Sequence, residues 1–178
     1  MLKPFKGTIT QGKQIASGLC DRYTSEGTIK PQLPLFQKIA DARGYNLPTP
    51  LSSLHHGTIN CVHGTNWAPV RDKSFYFDDV TWFDGERQSH NGPEYVVKTE
   101  NFFLIPVLIK TTPQPVSGTM TKAHETSGYI YLPDPGTKEN PDANEYHRFE
   151  LLCPFIPGVK YGQTIEVYVD AESIHTFD

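Results

Sequence analysis

The chain has 178 residues, with 16 Lys and Arg against 20 Asp and Glu, for a formal net charge of −4. This length predicts one domain over 1–178, large enough to bury a core without disulfides. No basic run supports nucleic-acid binding, and no apolar run approaches the roughly 20 residues that span a bilayer. The first residues lack the apolar region of a signal peptide, and three scattered cysteines indicate reduced thiols, so we expect a cytoplasmic protein.

Fifteen prolines and fourteen glycines interrupt the chain at short intervals, which favours a mainly β fold. One short helix is predicted at 34–43, with Pro34 in its first turn, Gly44 as its C-terminal cap and one face formed by Leu35, Phe36, Ile39 and Ala42. Strands are predicted at 5–10, 58–63, 74–83, 102–109, 128–132, 148–153 and 163–169. The apolar runs 102–109 and 148–153 are typical of strands buried on both faces. The polar segments 84–99, 111–127 and 134–146 are predicted to be long loops.

The segment 55–63, His-His-Gly-Thr-Ile-Asn-Cys-Val-His, carries two kinds of metal-ligand chemistry. Thr58 and Asn60 share one face of a strand, and their neutral oxygens suit a magnesium ion that also binds phosphates. Cys61 and His63 point to the opposite face, where His55 or His56 could complete a separate zinc or iron site. Ordinary strand residues and packed histidines are the simpler alternative for both sets.

Glu150 lies in the otherwise apolar segment 149–154. A carboxylate that is buried there needs a partner, which makes Glu150 a candidate functional residue. An outward-facing position on an alternating strand is the simpler alternative. Aromatic residues could line a flat ligand pocket or fill a core, and the candidates are Phe75, Tyr76, Phe77, Trp82, Phe83, Phe102 and Phe103.

Several short motifs occur in an order that resembles one known family. Gly7-Thr8-Ile9-Thr10-Gln11-Gly12 opens the chain, and the predicted helix then ends at Gly44-Tyr45 before Gly57-Thr58-Ile59-Asn60. The segments 102–107, 128–133, 149–154 and 161–167 follow in the same order. This succession resembles the archaeal CTP-dependent riboflavin kinases. It implies a six-stranded cradle-loop, or RIFT-like, β-barrel with one short helix and enlarged loops.

The resemblance implies Mg²⁺-dependent transfer of a phosphate from a nucleotide such as CTP to riboflavin. Thr58 and Asn60 would hold the Mg²⁺, and Glu150 would lie at the accepting hydroxyl as its base. Thr137 loosely matches a family threonine that contacts the flavin. The nucleotide would bind the first turn, at Gly12, Lys13, Gln14, Ile15, Ala16 and Ser17.

The chain departs from the family at two places that bind the nucleotide. Gln14 and Ala16 replace glycines of the first turn, and the segment 155–160 replaces a Leu-Arg segment. Lys160 or Arg148 would have to supply the missing charge. A second interpretation therefore stays open, in which the barrel has lost phosphotransfer and binds a flavin-like ligand or a partner protein.

Overall fold

The computed structural model describes residues 1–10, 27–29, 32–55, 57–137 and 147–177. These residues are mainly β, as predicted, with one α-helix and two single-turn 3-10 helices. The helix is α1 (Gln32–Arg43), and the 3-10 turns are Leu51–Ser53 and Arg71–Lys73. The strands are β1 (Leu2–Thr10), β2 (Gly27–Ile29), β3 (Ile59–Val62), β4 (Asn66–Pro69), β5 (Phe75–Ser89), β6 (Gly92–Thr111), β7 (Pro115–Val116), β8 (Thr119–Met120), β9 (His124–Pro133), β10 (Arg148–Leu152), β11 (Thr164–Asp170) and β12 (Ile174–Phe177).

Six antiparallel strands form a closed ring of hydrogen bonds, in the order β11, β1, β3, β10, β9 and β6. The ring closes because β6 also pairs with β11. β6 is 20 residues long and has β9 along one edge. Along its other edge it pairs first with β5 and then with β11.

The described helix is too short to cross a membrane.

Two apolar clusters lie on opposite faces of this sheet. The first takes residues from all six strands, including Phe5, Cys61 and Phe149, and therefore fills the interior of the ring. The second packs α1 and β5 against the outer face of β6, β9 and β10. Within β6, Phe103 and Ile105 belong to the first cluster, whereas Phe102 and Leu104 belong to the second. The prediction that the continuous apolar run at 102–109 is buried on both faces is confirmed over 102–105.

The predicted loop at 84–99 is wrong, because β5 and β6 continue through it as one long hairpin. Ser89 pairs with Gly92 at its tip, and the hydroxyls of Thr81 and Thr99 hydrogen-bond across it at 2.8 Å. Pairing satisfies the backbone of this arm, and Val96 is its residue that packs against the second cluster. The sequence analysis predicted a loop at 84–99 because most residues of this segment are polar.

The predicted loop at 111–127 is also wrong in part. It contains the β7–β8 hairpin, whose turn residues Ser117 and Gly118 both have positive φ, and the first residues of β9. Positive φ at both turn positions is typical of a tight two-residue hairpin. Of the third predicted loop, 134–146, residues 134–137 form a turn and the rest lie outside the described residues.

Helix α1 begins at Gln32, two residues before the predicted start, and Gly44 follows it with a φ of +64°. The predicted apolar face is partly wrong. Phe36 is fully buried, but Ala42 is exposed and Leu33 and Ala40 are buried instead. Leu33, Phe36 and Ala40 follow the i, i+3, i+7 spacing of a single helix face.

Two glycines allow neighbouring strands of the ring to approach closely. A Cβ at Gly7 would contact Cys61 Sγ and lie 2.7 Å from the carbonyl oxygen of Val62. A Cβ at Gly128 would contact the carbonyl oxygen of Leu152 and lie 2.8 Å from Cys153 Cβ. Each contact includes backbone atoms, which cannot rotate away as a long side chain could.

We expect Gly7→Ala and Gly128→Ala each to lower the free energy of unfolding by about 2 kcal/mol or more, because overpacking forces backbone shifts. Urea denaturation monitored by tryptophan fluorescence measures this change. Gly136→Ala is the matched control, because its Cβ would meet only the Asp134 side chain, at 3.3 Å. A loss at Gly7 no larger than that of the control would contradict the close-approach argument.

Candidate functional site

Three predicted site residues meet on the outer face of the ring. Asn60 on β3 lies opposite Glu150 on β10, and directly opposed residues of antiparallel strands share a face. Thr58 lies two residues earlier on that face, and its Oγ1 donates a hydrogen bond to Glu150 Oε1 at 2.8 Å. We call these residues the Thr58–Asn60–Glu150 cluster. Their assigned roles stay predictions.

The strand register explains why this cluster faces outward. Ile9, Cys61 and Phe149 are aligned across β1, β3 and β10, and all three belong to the interior cluster. The next aligned row, which contains Asn60 and Glu150, must therefore point away from the interior. This agrees with the strand parity that separated Thr58 and Asn60 from Cys61.

Asn60 carries an unsatisfied polar group. Its side chain is 3% exposed, and its Nδ2 has no hydrogen-bond partner within the described residues. A buried polar atom without a partner costs about 1–3 kcal/mol, so such a position is suited to a bound group. A half-turn of the side-chain amide would place Oδ1 where Nδ2 now lies. With the Thr58 hydroxyl, the cluster then offers two neutral oxygen ligands of the kind that suit Mg²⁺.

A cavity of about 690 Å³ opens at one end of the ring, next to the cluster. Thr58 is the cluster residue that lines it. The wall combines the end of β1, the start of β3, the turn of the β7–β8 hairpin and the connection 153–161 between β10 and β11. Glu150 instead lines a second cavity of about 10 Å³, roughly the space of one water molecule. The large cavity is within the usual size range of small-molecule sites.

The connection 153–161 gives the large cavity an aromatic rim, which the sequence analysis did not predict. Phe155 and Tyr161 are 69% and 62% exposed, and the rings of His55 and Phe155 lie 5.4 Å apart. Lys160 also lines the cavity. The sequence signal that could have indicated this rim is a pair of aromatic residues on either side of Pro157-Gly158, between two apolar strands.

The remaining predicted site residues are not brought to the cluster by the described structure. The first-turn residues 12–17 lie outside the described residues. Thr137 lies in a turn after β9, where its Oγ1 accepts a hydrogen bond from the Asn101 backbone at 3.0 Å and donates one to the Asp134 carbonyl at 3.1 Å. It lines neither cavity described above. Its role in flavin contact therefore gains no support from geometry.

The alternative zinc or iron site finds no geometric support either. No group of three or more His, Cys, Asp or Glu residues is placed to hold a metal within the described ranges, and His56 lies outside them. Cys61 is buried in the ring interior, where desolvation raises the pKa of its thiol to about 12. Cys153 in the cavity wall has its thiol pKa raised to about 12 for the same reason. Burial therefore favours the protonated form of both thiols near neutral pH.

His63 packs among aromatic rings rather than at a metal. Its ring centroid lies 4.1 Å from that of Phe149 and 5.2 Å from that of Phe5. Burial and, to a lesser extent, the nearby His147 lower the pKa of His63 from 6.5 to about 4. The Nδ1 atom accepts a hydrogen bond from the Thr65 backbone at 3.3 Å, as a neutral imidazole can.

No protein-family model, curated protein or solved structure gives a significant match to this chain. The resemblance to riboflavin kinases therefore depends on the sequence motifs alone and stays a prediction.

We expect the free energy of unfolding to fall as the pH drops from about 6.5 to 4, because the unfolded chain then protonates His63 while the folded chain does not. The lowered pKa of His63 contributes about 1–2 kcal/mol to the free energy of unfolding, after allowance for partial exposure. This contribution is fully present above pH 6.5. Urea denaturation at several pH values should show a smaller decrease for His63→Gln. An NMR titration that places the His63 pKa near 6.5 would contradict the prediction.

Proposed function

We propose that this chain is a riboflavin-kinase-like phosphotransferase on a six-stranded cradle-loop β-barrel. It would transfer a phosphate from a CTP-like nucleotide to riboflavin with Mg²⁺. The observation that supports this most strongly is the hydrogen bond between Thr58 and Glu150, which are 92 residues apart in sequence. The motif resemblance assigns both residues to one site, and the fold brings them into contact. The closed ring of six strands agrees with the strand number of that barrel type.

The cluster has groups for both tasks of a phosphotransferase, which are charge neutralisation and positioning. Thr58 and Asn60 would hold the Mg²⁺. The Thr58 hydroxyl uses its proton in the bond to Glu150, which leaves oxygen lone pairs for a cation. When bound, Mg²⁺ neutralises phosphate charge and orients the transferred group.

Glu150 would act as the base of this reaction. Its carboxylate would accept the proton of the attacking ribityl hydroxyl, while the hydrogen bond from Thr58 keeps it oriented. The neighbouring strands keep the cluster rigid, because β3 is paired along both edges, with β1 and β10. A site on paired strands holds its geometry better than one on a loop.

The second candidate is a barrel that binds a flavin-like ligand without phosphotransfer. The sequence of the nucleotide-binding segments favours it, because Gln14 and Ala16 replace glycines and the segment 155–160 contains no arginine. A triphosphate needs several positive or N–H groups, and among the described residues Lys160 is the lysine that lines the large cavity.

We expect purified protein incubated with riboflavin, Mg²⁺ and CTP to form FMN, which chromatography measures. Glu150→Gln should lower kcat by about 10²–10⁴-fold, because the base is lost. Glu86→Gln, an exposed position on β5, is the matched control and should leave kcat unchanged. Absence of FMN with both CTP and ATP would contradict the kinase proposal, and flavin binding without turnover would favour the second candidate.

We expect Asn60→Leu to stabilise the fold while it weakens the binding of Mg²⁺. In the absence of Mg²⁺ it should raise the free energy of unfolding by about 0.5–2 kcal/mol, because it removes a buried, unsatisfied amide nitrogen. It should also abolish the increase in Tm that Mg²⁺ gives the unmodified protein. Thermal unfolding with and without Mg²⁺ measures both effects. An unchanged Mg²⁺ response in this variant would refute the assignment of Asn60 to the metal.

A further inference from the structure

We infer that the large cavity at the end of the ring binds a small aromatic anion, with Phe155 and Tyr161 against its flat ring system and Lys160 at its charged group. This deepens the second candidate of the proposed function, on which it rests, by naming the ligand class and the residues that recognise it. It depends on the connection 153–161 and not on the Thr58–Asn60–Glu150 cluster, although Thr58 lies at the boundary of both.

The first argument is the arrangement of aromatic side chains around an apolar interior. The inner wall is formed mainly by aliphatic side chains, namely Ile9, Ile59, Val116, Ile156 and Val159. Phe155 and Tyr161 lie at the opening, and more than half of each side chain is exposed. Rings that remain in water beside an apolar cavity are free to stack on a flat ligand that enters it.

The second argument is that the structure keeps this rim in place before any ligand binds. The ring of His55 packs against that of Phe155, and the His55 backbone N–H donates to the Cys153 carbonyl at 2.9 Å. Beside Tyr161, the N–H of Gly162 donates to the Ile9 carbonyl at 2.9 Å. One end of the connection is therefore anchored to the segment before β3 and the other to β1, which lowers the entropy cost of ligand binding.

The third argument concerns charge. Lys160 is half-buried, and its backbone N–H donates to Gln163 Oε1 at 3.3 Å. Among the described residues that line the cavity, none is acidic. Lys160 also has no ion-pair partner within the described part of the chain. An ammonium group at the edge of an apolar cavity attracts an anion more strongly than one in open water.

Hydroxyl groups complete the recognition surface. Thr10 and Ser117 line the cavity together with Lys160. Each can donate a hydrogen bond to an anionic oxygen. The combination of an aliphatic interior, two rim aromatics, one ammonium and two hydroxyls fits an aromatic phosphate, sulfonate or carboxylate better than an uncharged apolar ligand.

A pair of fluorescent probes that differ only in charge tests this inference. 8-Anilinonaphthalene-1-sulfonate and N-phenyl-1-naphthylamine share one ring system, but only the first carries a sulfonate. We expect the intact chain to bind one sulfonate probe per molecule, about tenfold more tightly than the neutral probe, because one charge-assisted contact is added. Fluorescence titration measures both dissociation constants.

Variants of the cavity residues assign the binding to this site. Lys160→Gln should remove the tenfold preference for the sulfonate and leave binding of the neutral probe unchanged. Phe155→Ala and Tyr161→Ala should each raise the dissociation constants of both probes by about three- to tenfold, because ring stacking is lost. Lys38→Gln and Phe177→Ala are matched exposed controls outside the cavity and should change neither constant.

The inference is overturned if neither probe binds, if several equivalent molecules bind, or if Lys160→Gln keeps the sulfonate preference. It is also overturned if Phe155→Ala and Tyr161→Ala behave like Phe177→Ala. Circular dichroism of each variant checks that the fold is intact, which is expected because both aromatic side chains are largely exposed. Since neither probe can donate or accept a phosphoryl group, this result and the FMN assay can fail independently.

Discussion

The closure of the six-stranded ring is the constraint on which the rest of the structure depends. Closure requires β6 to pair with β9 on one edge and with β11 on the other. It also requires β1 to approach β3 closely at Gly7, and β9 to approach β10 closely at Gly128. Once closed, the ring turns alternate residues inward, and this alternation decides that Cys61 is core while Asn60 faces outward. The candidate site is therefore a direct result of strand register.

Register also explains why distant residues meet. Thr58 directly precedes β3, Glu150 lies on the neighbouring strand β10, and their contact follows from the pairing of Asn60 with Glu150. The cluster consequently has little freedom to rearrange, because a shift of one residue would place Ile59 or Leu151 on the outer face. The unsatisfied amide of Asn60 remains in this rigid setting, at a cost of about 1–3 kcal/mol to the folded state.

The sequence predicted those features whose signal is local. The β class, most strand positions in the ring and the cap at Gly44 all come from short patterns, as does the parity that separated Thr58 and Asn60 from Cys61. The arm at 84–99 was missed because most of its residues are polar and its one apolar run, at 95–97, is short. The cavity was missed for another reason. Its walls come from β1, β3, the β7–β8 turn and the connection 153–161, and no single one of these segments carries a cavity signal.

The contrast between the exposed rim and the rigid ring has an evolutionary consequence. Substitutions at Gly7 or Gly128 disturb backbone contacts of the ring, so they endanger the fold itself. Phe155 and Tyr161 are more than half exposed, so replacing them removes little buried area. Selection can therefore exchange these rim side chains one at a time, and change the preferred ligand, without first acquiring stabilising mutations elsewhere. Closely related chains should accordingly differ more at the rim than along the paired strands beneath it.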